Sequence, residues 1–240
     1  ITAGESGVML LNCGCNTSPK LLVTPANTRT VDFLCPSCNA AYQLKSSSKP
    51  FGKRILGASY RATIGAFKRG EAPHLLLLHY SAEWVVISLT LVPSFSISTS
   101  AIEQRPPLGP TARRAGWIGC NIVLDQVPET AKLNLVTSGK EALSKDIRAT
   151  FMRVQPLDKL GIEARGWTLD ILRVIQDIPI QDIPNEFFSI ADVYTYENDL
   201  TQKHPNNNNV RAKIRQQLQV LRDIGLISFL GNGDYKKALN

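Results

Sequence analysis

The segment that most restricts how this chain can fold begins with two close cysteine pairs, Cys13 and Cys15 in CGC and Cys35 and Cys38 in CPSC, separated by 19 residues. Cysteines one or two residues apart are badly placed to bridge each other. A disulfide framework also belongs to secreted chains, and nothing else in the sequence has that character. Two tight turns, each offering two thiolates, are what a tetrahedral zinc ion requires. CPSC is a regular knuckle, whereas CGC has one intervening residue and depends on Gly14 to bend. The expectation is a structural zinc ion held by Cys13, Cys15, Cys35 and Cys38. The alternative is a set of unliganded thiols packed in a core, which is the simplest reading of the fifth cysteine, Cys120. Either way a reducing compartment is implied, so a cytoplasmic location is expected.

A chain of 240 residues that is 43% hydrophobic can bury one good core or two modest ones, so it is expected to be globular. Its longest apolar runs, HLLLLHY and WVVISLTLVP, are strand-length and fall short of the roughly 20 residues that cross a bilayer. No membrane partner is expected. The chain opens on Ile1 with no basic segment and apolar core behind it, which reads as a truncated start rather than a signal sequence. Net charge is +7, and it is unevenly placed: 18 basic and 10 acidic residues precede Glu163, against 9 and 10 from there on. That balance favours a polyanionic partner for the N-terminal part.

Periodicity divides the chain at about the same point. Apolar runs bounded by turn residues predict strands over 30–33, 41–45, 74–80, 84–91 and 121–124, with a helix over 55–67. Strands flanking a helix indicate a mixed α/β or α+β domain over 1–162. Residues 104–120, QRPPLGPTARRAGWIGC, are too rich in Pro, Gly and Arg for regular structure and form a long loop. From 163 to 240 helical spacing takes over, at 166–176, 189–200 and 210–224, followed by a hairpin around Gly-Asn-Gly at 231–233. Three helices and a hairpin are the winged-helix pattern, whose third helix enters the major groove of DNA. On that helix Arg211, Lys213, Arg215, Gln216 and Gln217 lie beside the apolar stripe, with Lys236 on the wing. Arg suits guanine and Gln suits adenine. A solvated helix in a protein-interaction module remains the other reading.

On either side of the second cysteine pair lies a different chemistry. Asp32 occupies one short strand, and Gln43-Leu44-Lys45 lies in the next. Alternation along a strand puts Gln43 and Lys45 on one face and Leu44 on the other. A carboxylate, a second oxygen donor and a lysine compose a magnesium-dependent phosphodiesterase site. Spacing alone leaves open a solvated strand end.

Asp32 with Gln43-Leu44-Lys45 resembles the PD-(D/E)xK nuclease signature. Together with PLGPTARRAGWIGCNI and LDQVP within 107–128, RGWTLDIL at 165–172 and KIRQQLQVLRDIGLISFLGNGDYKK at 213–237, it resembles the DpnI restriction endonuclease family. The resemblance extends from about residue 13 to residue 237 and is weaker over 49–105. It implies an α+β PD-(D/E)xK nuclease core with an embedded four-cysteine zinc site, followed by a C-terminal winged helix. It also implies magnesium-dependent cutting of double-stranded DNA at GATC sites whose adenines are methylated. The family's first carboxylate carries onto Asp32 and its lysine onto Lys45. Gln43 stands where the family has a glutamate, which leaves a carbonyl oxygen but removes one negative charge from the metal site. The tight CGC knuckle is a second departure.

The resemblance further implies that the loop carrying Trp117 reads the methyl groups, with Arg113 and Arg114 anchoring it to phosphates or base edges. One buried methyl is worth only about 0.8 kcal/mol, so two methyls read by two domains are needed for strong discrimination. The protein is expected to be a monomer. Two other classes remain: a catalytically silent reader of methylated DNA, and a winged-helix regulator carrying zinc.

Overall fold

The computed structural model describes residues 21–25, 30–178 and 186–237. The first part is built on a seven-stranded sheet in the order β1-β2-β3-β5-β6-β9-β10. These strands are β1 (Leu22–Val23), β2 (Phe33–Leu34), β3 (Ala41–Ser47), β5 (His74–Tyr80), β6 (Val86–Val92), β9 (Leu133–Thr137) and β10 (Lys140–Glu141). Only β3 and β5 run parallel. That pairing requires a crossover, supplied by β4 (Arg54–Ser59) and helix α1 (Tyr60–Arg69). A smaller sheet, β4-β8-β7, pairs β4 with β8 (Gly119–Val123) and β7 (Ile102–Gln104).

Each face of the large sheet carries its own core. Tyr42, Leu76, Leu78, Leu89 and Leu91 point to one side and join the larger cluster. Leu75, Leu77 and Val92, one residue out of phase, point to the other, where Ile55, Phe67, Cys120 and Ile122 meet them. Strand β5 is central and covered on both faces, which is why HLLLLHY is apolar without alternation.

The helix predicted over 55–67 starts later than its spacing suggested, because residues 54–59 form β4 and pair antiparallel with β8. Ile55 faces the core as a strand residue. The close approach of β4 to β8 depends on Gly57: a Cβ there would lie 2.4 Å from Sγ of Cys120. The expected strand over 30–33 contracts to Phe33–Leu34. Helix α2 (Ser144–Val154) was not anticipated.

The C-terminal part contains α3 (Ile162–Asp177), β11 (Phe187–Ser189), α4 (Ile190–Tyr194), α5 (Glu197–Lys203), α6 (Val210–Asp223), β12 (Ile227–Gly231) and β13 (Asp234–Lys237). Its sheet order is β11-β13-β12. The second predicted helix is two short ones. Ser189 opens the first with a capping box to Asp192. Asn209 stands at the N-cap of α6 without a side-chain cap bond; its amide instead donates to Oδ1 of Asn207. Helix α3 docks on the first part, since the Gln176 side chain accepts from the Glu129 amide at 2.9 Å and also bonds Thr130. The larger core cluster accordingly runs unbroken from β3 to Tyr235.

Two predictions follow from this packing. Gly57→Ala should destabilise the fold by about 1–3 kcal/mol through overpacking, and Cys120→Ala in the same chain should restore most of it. Urea unfolding of the four variants measures the coupling, and purely additive effects would contradict the contact. The second concerns His74, which burial drives from its ordinary 6.5 to about 4. Its Nδ1 accepts the Ser94 amide at 3.0 Å, a bond that only the unprotonated atom makes. Between those two pH values the unfolded chain binds a proton that the folded chain refuses, so stability falls as pH drops through that window. His74→Phe should flatten the slope of melting temperature against pH there; an unchanged slope would contradict the assignment.

Candidate functional site

The candidate catalytic residues converge at the start of the large sheet. Strand β2 pairs antiparallel with β3, with Phe33 opposite Tyr42. One residue further along that register, Asp32 stands opposite Gln43. The Asp32 amide donates to the Tyr42 carbonyl at 2.8 Å, and its carboxylate accepts the Leu44 amide at 2.7 Å. The side chain thus replaces a backbone acceptor at the end of the ladder and is fixed in place by it.

Alternation in β3 follows expectation. Tyr42 and Leu44 enter the larger core. Gln43 and Lys45 face the opposite way, beside their parallel partners Leu75 and Leu77. Gln43 lines a cavity of about 80 Å³ with Thr30, Thr63, Ala66 and Ile122. That lining is mostly apolar, which makes a neutral amide less costly there than a carboxylate. Burial lowers the pKa of Lys45 below the ordinary lysine value, and the nearby charge of Asp32 opposes that shift. Asp32, Gln43 and Lys45 therefore share one neighbourhood: a fixed carboxylate, an amide and a partly desolvated amine.

The turn after β2 begins the second cysteine pair. The Cys35 amide donates to Ala40, and the Asn39 amide returns to the Cys35 carbonyl, both at 2.9 Å. Asn39 takes a left-handed conformation, φ 58°. Cys35 is buried and Cys38 exposed. Cys13 and Cys15 lie outside the described residues. Among the described residues no cluster of three or more His, Cys, Asp or Glu side chains is suited to a metal ion.

The 104–120 loop closes on itself through two bonds between Leu108 and the chain at 116–117. Arg113 and Arg114 are exposed, and Trp117 is half-buried. The indole covers the backbone of Gly119, where a Cβ would meet it at 2.7 Å.

On the winged helix the predicted set divides. Arg211, Arg215 and Gln216 are exposed. Arg211 bonds Glu197 at 2.8 Å and lies over the Tyr194 ring, while Arg215 donates to the Tyr194 hydroxyl. Lys213 donates to Oε1 of Gln216. Lys236, on β13, lies 3.6 Å from Glu186. Gln217 is a correction: it is 1% exposed, and its Oε1 accepts the Thr168 hydroxyl at 2.6 Å. It falls on the same helical stripe as Ile214, Leu218 and Leu221, so it ties α6 to α3 and does not face DNA.

Residues 7–160 match the DpnI model, described as the Dam-replacing family, and residues 163–237 match the Dam-replacing HTH domain. The chain belongs to the DpnI family. Family membership makes the first segment a restriction-type nuclease and the second a DNA-binding winged helix. Among the described residues no helix is long and apolar enough to cross a membrane.

His204 follows α5 and belongs to a pair that local sequence does not signal. Its Nε2 meets Oδ2 of Asp170 at 2.9 Å, and its ring stacks on Trp167 at 3.8 Å. Lys203 bonds the other oxygen of Asp170. A partner 34 residues away carries no local signal.

Gln217→Ala should remove the bond between α6 and α3 and leave a cavity, costing about 1–3 kcal/mol of stability, while the Thr168 hydroxyl keeps the Ala164 carbonyl as acceptor. Gln216→Ala, on the exposed face, should stay within about 0.5 kcal/mol. Equal effects in thermal unfolding would contradict the division between the two.

Proposed function

We propose that the protein is a magnesium-dependent endonuclease cutting double-stranded DNA at GATC sites whose adenines carry a methyl group. The observation that carries this reading is the common position of Asp32, Gln43 and Lys45, with the Asp32 carboxylate locked to the Leu44 amide. Magnesium takes oxygen ligands, and the donors present fit it: one carboxylate oxygen of Asp32 beyond its bond to Leu44, and the amide oxygen of Gln43 opposite. When bound, the ion supplies positive charge to the scissile phosphate and acidifies a water. The chain's own contribution is orientation and proton transfer. Lys45, with its ammonium disfavoured by burial, accepts a proton from the attacking water more readily than an exposed lysine.

Zinc, in this reading, is held by Cys13, Cys15, Cys35 and Cys38. The closed turn from Cys35 to Ala40 fits such a knuckle and leads directly from Asp32 into β3. Trp117, Arg113 and Arg114 form the methyl-reading loop of the nuclease domain, and Arg211, Lys213, Arg215, Gln216 and Lys236 the DNA-facing side of the winged helix. The protein acts as a monomer in the cytoplasm.

A second reading, a silent reader of methylated DNA, is favoured by one observation: Gln43 is a neutral amide, which leaves Asp32 as the one carboxylate of the three residues. Incubating methylated and unmethylated GATC plasmid with the protein and magnesium separates the two. Cutting of methylated plasmid alone is the expected result. Methyl-selective retention without cutting supports the reader, and binding indifferent to methylation contradicts both. Lys45→Ala should reduce cutting by about 10²-fold or more while leaving binding intact. Trp117→Ala should narrow the ratio between methylated and unmethylated DNA, and an unchanged ratio would remove Trp117 from the reading loop.

A further inference from the structure

A cleft of about 580 Å³ opens between the two domains, on the side of α1 away from the catalytic cavity. One wall is a stripe of α1 at four-residue spacing, Tyr60, Ile64 and Lys68, with the 98–100 turn beside it. The other wall comes from the start of α3 and the segment joining α5 to α6, and includes Lys203, Asn206 and Lys213. Three lysines line it against one described carboxylate, Glu163. Lys203 is already bonded to Asp170. Lys68 is exposed and enters no ion pair among the described residues, and Lys213 bonds only a neutral amide oxygen. With Glu163 and the Asp170 partner of Lys203 counted, the cleft keeps a net positive charge of about one, carried by Lys68 and Lys213.

Its floor is open for a reason that local stability does not supply. Gly166 lies in the interior of α3, where glycine costs about 1 kcal/mol relative to alanine. Nothing lies within 4 Å of the place where its Cβ would be. The backbone of α3 is thus bare toward the cleft, with serine, threonine and asparagine side chains as donors on either side.

We propose that this cleft seats a phosphodiester stretch of the DNA backbone, so that both domains grip one duplex through a shared electrostatic seat. The chemistry is that of backbone recognition, with ammonium groups and small polar donors around the cleft; Trp167 is covered by His204, and Tyr60 on the opposite wall is half-buried. The adjoining wall belongs to α6, which carries Lys213 from the cleft to the DNA-facing side. This inference rests on the DNA-binding reading above, and it adds a sequence-independent contact that contains none of the catalytic or methyl-reading residues.

The test is fluorescence anisotropy with a labelled GATC duplex, methylated and unmethylated, over a range of salt concentrations. Lys68→Glu and Gly166→Glu each place negative charge in the cleft. Each should weaken both duplexes by the same factor, on the order of tenfold, and make the salt dependence shallower by about one ion. Two controls hold charge and helix propensity constant: Lys145→Glu, on exposed α2 outside the cleft, and Gly166→Ala. Both should stay within about twofold of the parent. If the cleft variants behave like Lys145→Glu, the proposal is overturned while the DNA reading stands. If the parent protein binds neither duplex at any salt, the DNA reading fails and takes the cleft with it.

Discussion

The Leu44 amide, by donating to the Asp32 carboxylate at 2.7 Å, joins the segment that leads into the short strand β2 to the strand that carries Gln43 and Lys45. That bond acts with the Asp32 amide's bond to the Tyr42 carbonyl to hold β2, two residues long, in register. With it, the acid is fixed opposite the amide, and one of its oxygens is committed to structure. Lys45 lies in the field of the same carboxylate, which opposes but does not overcome the lowering of its pKa by burial. Both the register at this end of the sheet and the placement of the carboxylate beside Lys45 draw on this contact.

The large sheet turns that local arrangement into a stable one by having a core on each face. Leu44 anchors β3 in the larger core, while Gln43 and Lys45 remain at the border of the smaller one. The larger core continues through α3 into the winged helix. The two parts of the chain are therefore packed against each other, with Gln176 bonded across the junction. A recognition domain held in this way presents its third helix in a defined direction relative to the nuclease face.

Much of this was legible in residue order. The alternation in AYQLKSS and the unbroken apolar run of HLLLLHY predict their strands, because period and burial are local properties. The three amphipathic segments and the Gly-Asn-Gly turn predict a winged helix for the same reason. What was not legible depends on contacts between distant segments. Residues 55–59 read as helix because Ile55 fits a helical stripe, yet pairing with β8 and the close approach of Gly57 to Cys120 make them part of a strand. Gln217 read as a base reader because it is polar. Its burial against Thr168, 49 residues away, is a tertiary fact. The Asp170 pair with Lys203 and His204 is another. Position on the helical stripe was the available sign for Gln217, since it lies beside Leu218 and three residues from Ile214.

The central claim is that Asp32 and Gln43 together hold a divalent ion beside the DNA backbone. Calorimetric titration with manganese, in the presence of methylated duplex and with Lys45→Ala blocking turnover, tests it most directly. In that background Asp32→Asn should lose the binding isotherm, and Gln43→Glu, by restoring a carboxylate, should tighten it by about tenfold or more. Identical isotherms for all three proteins would contradict the claim.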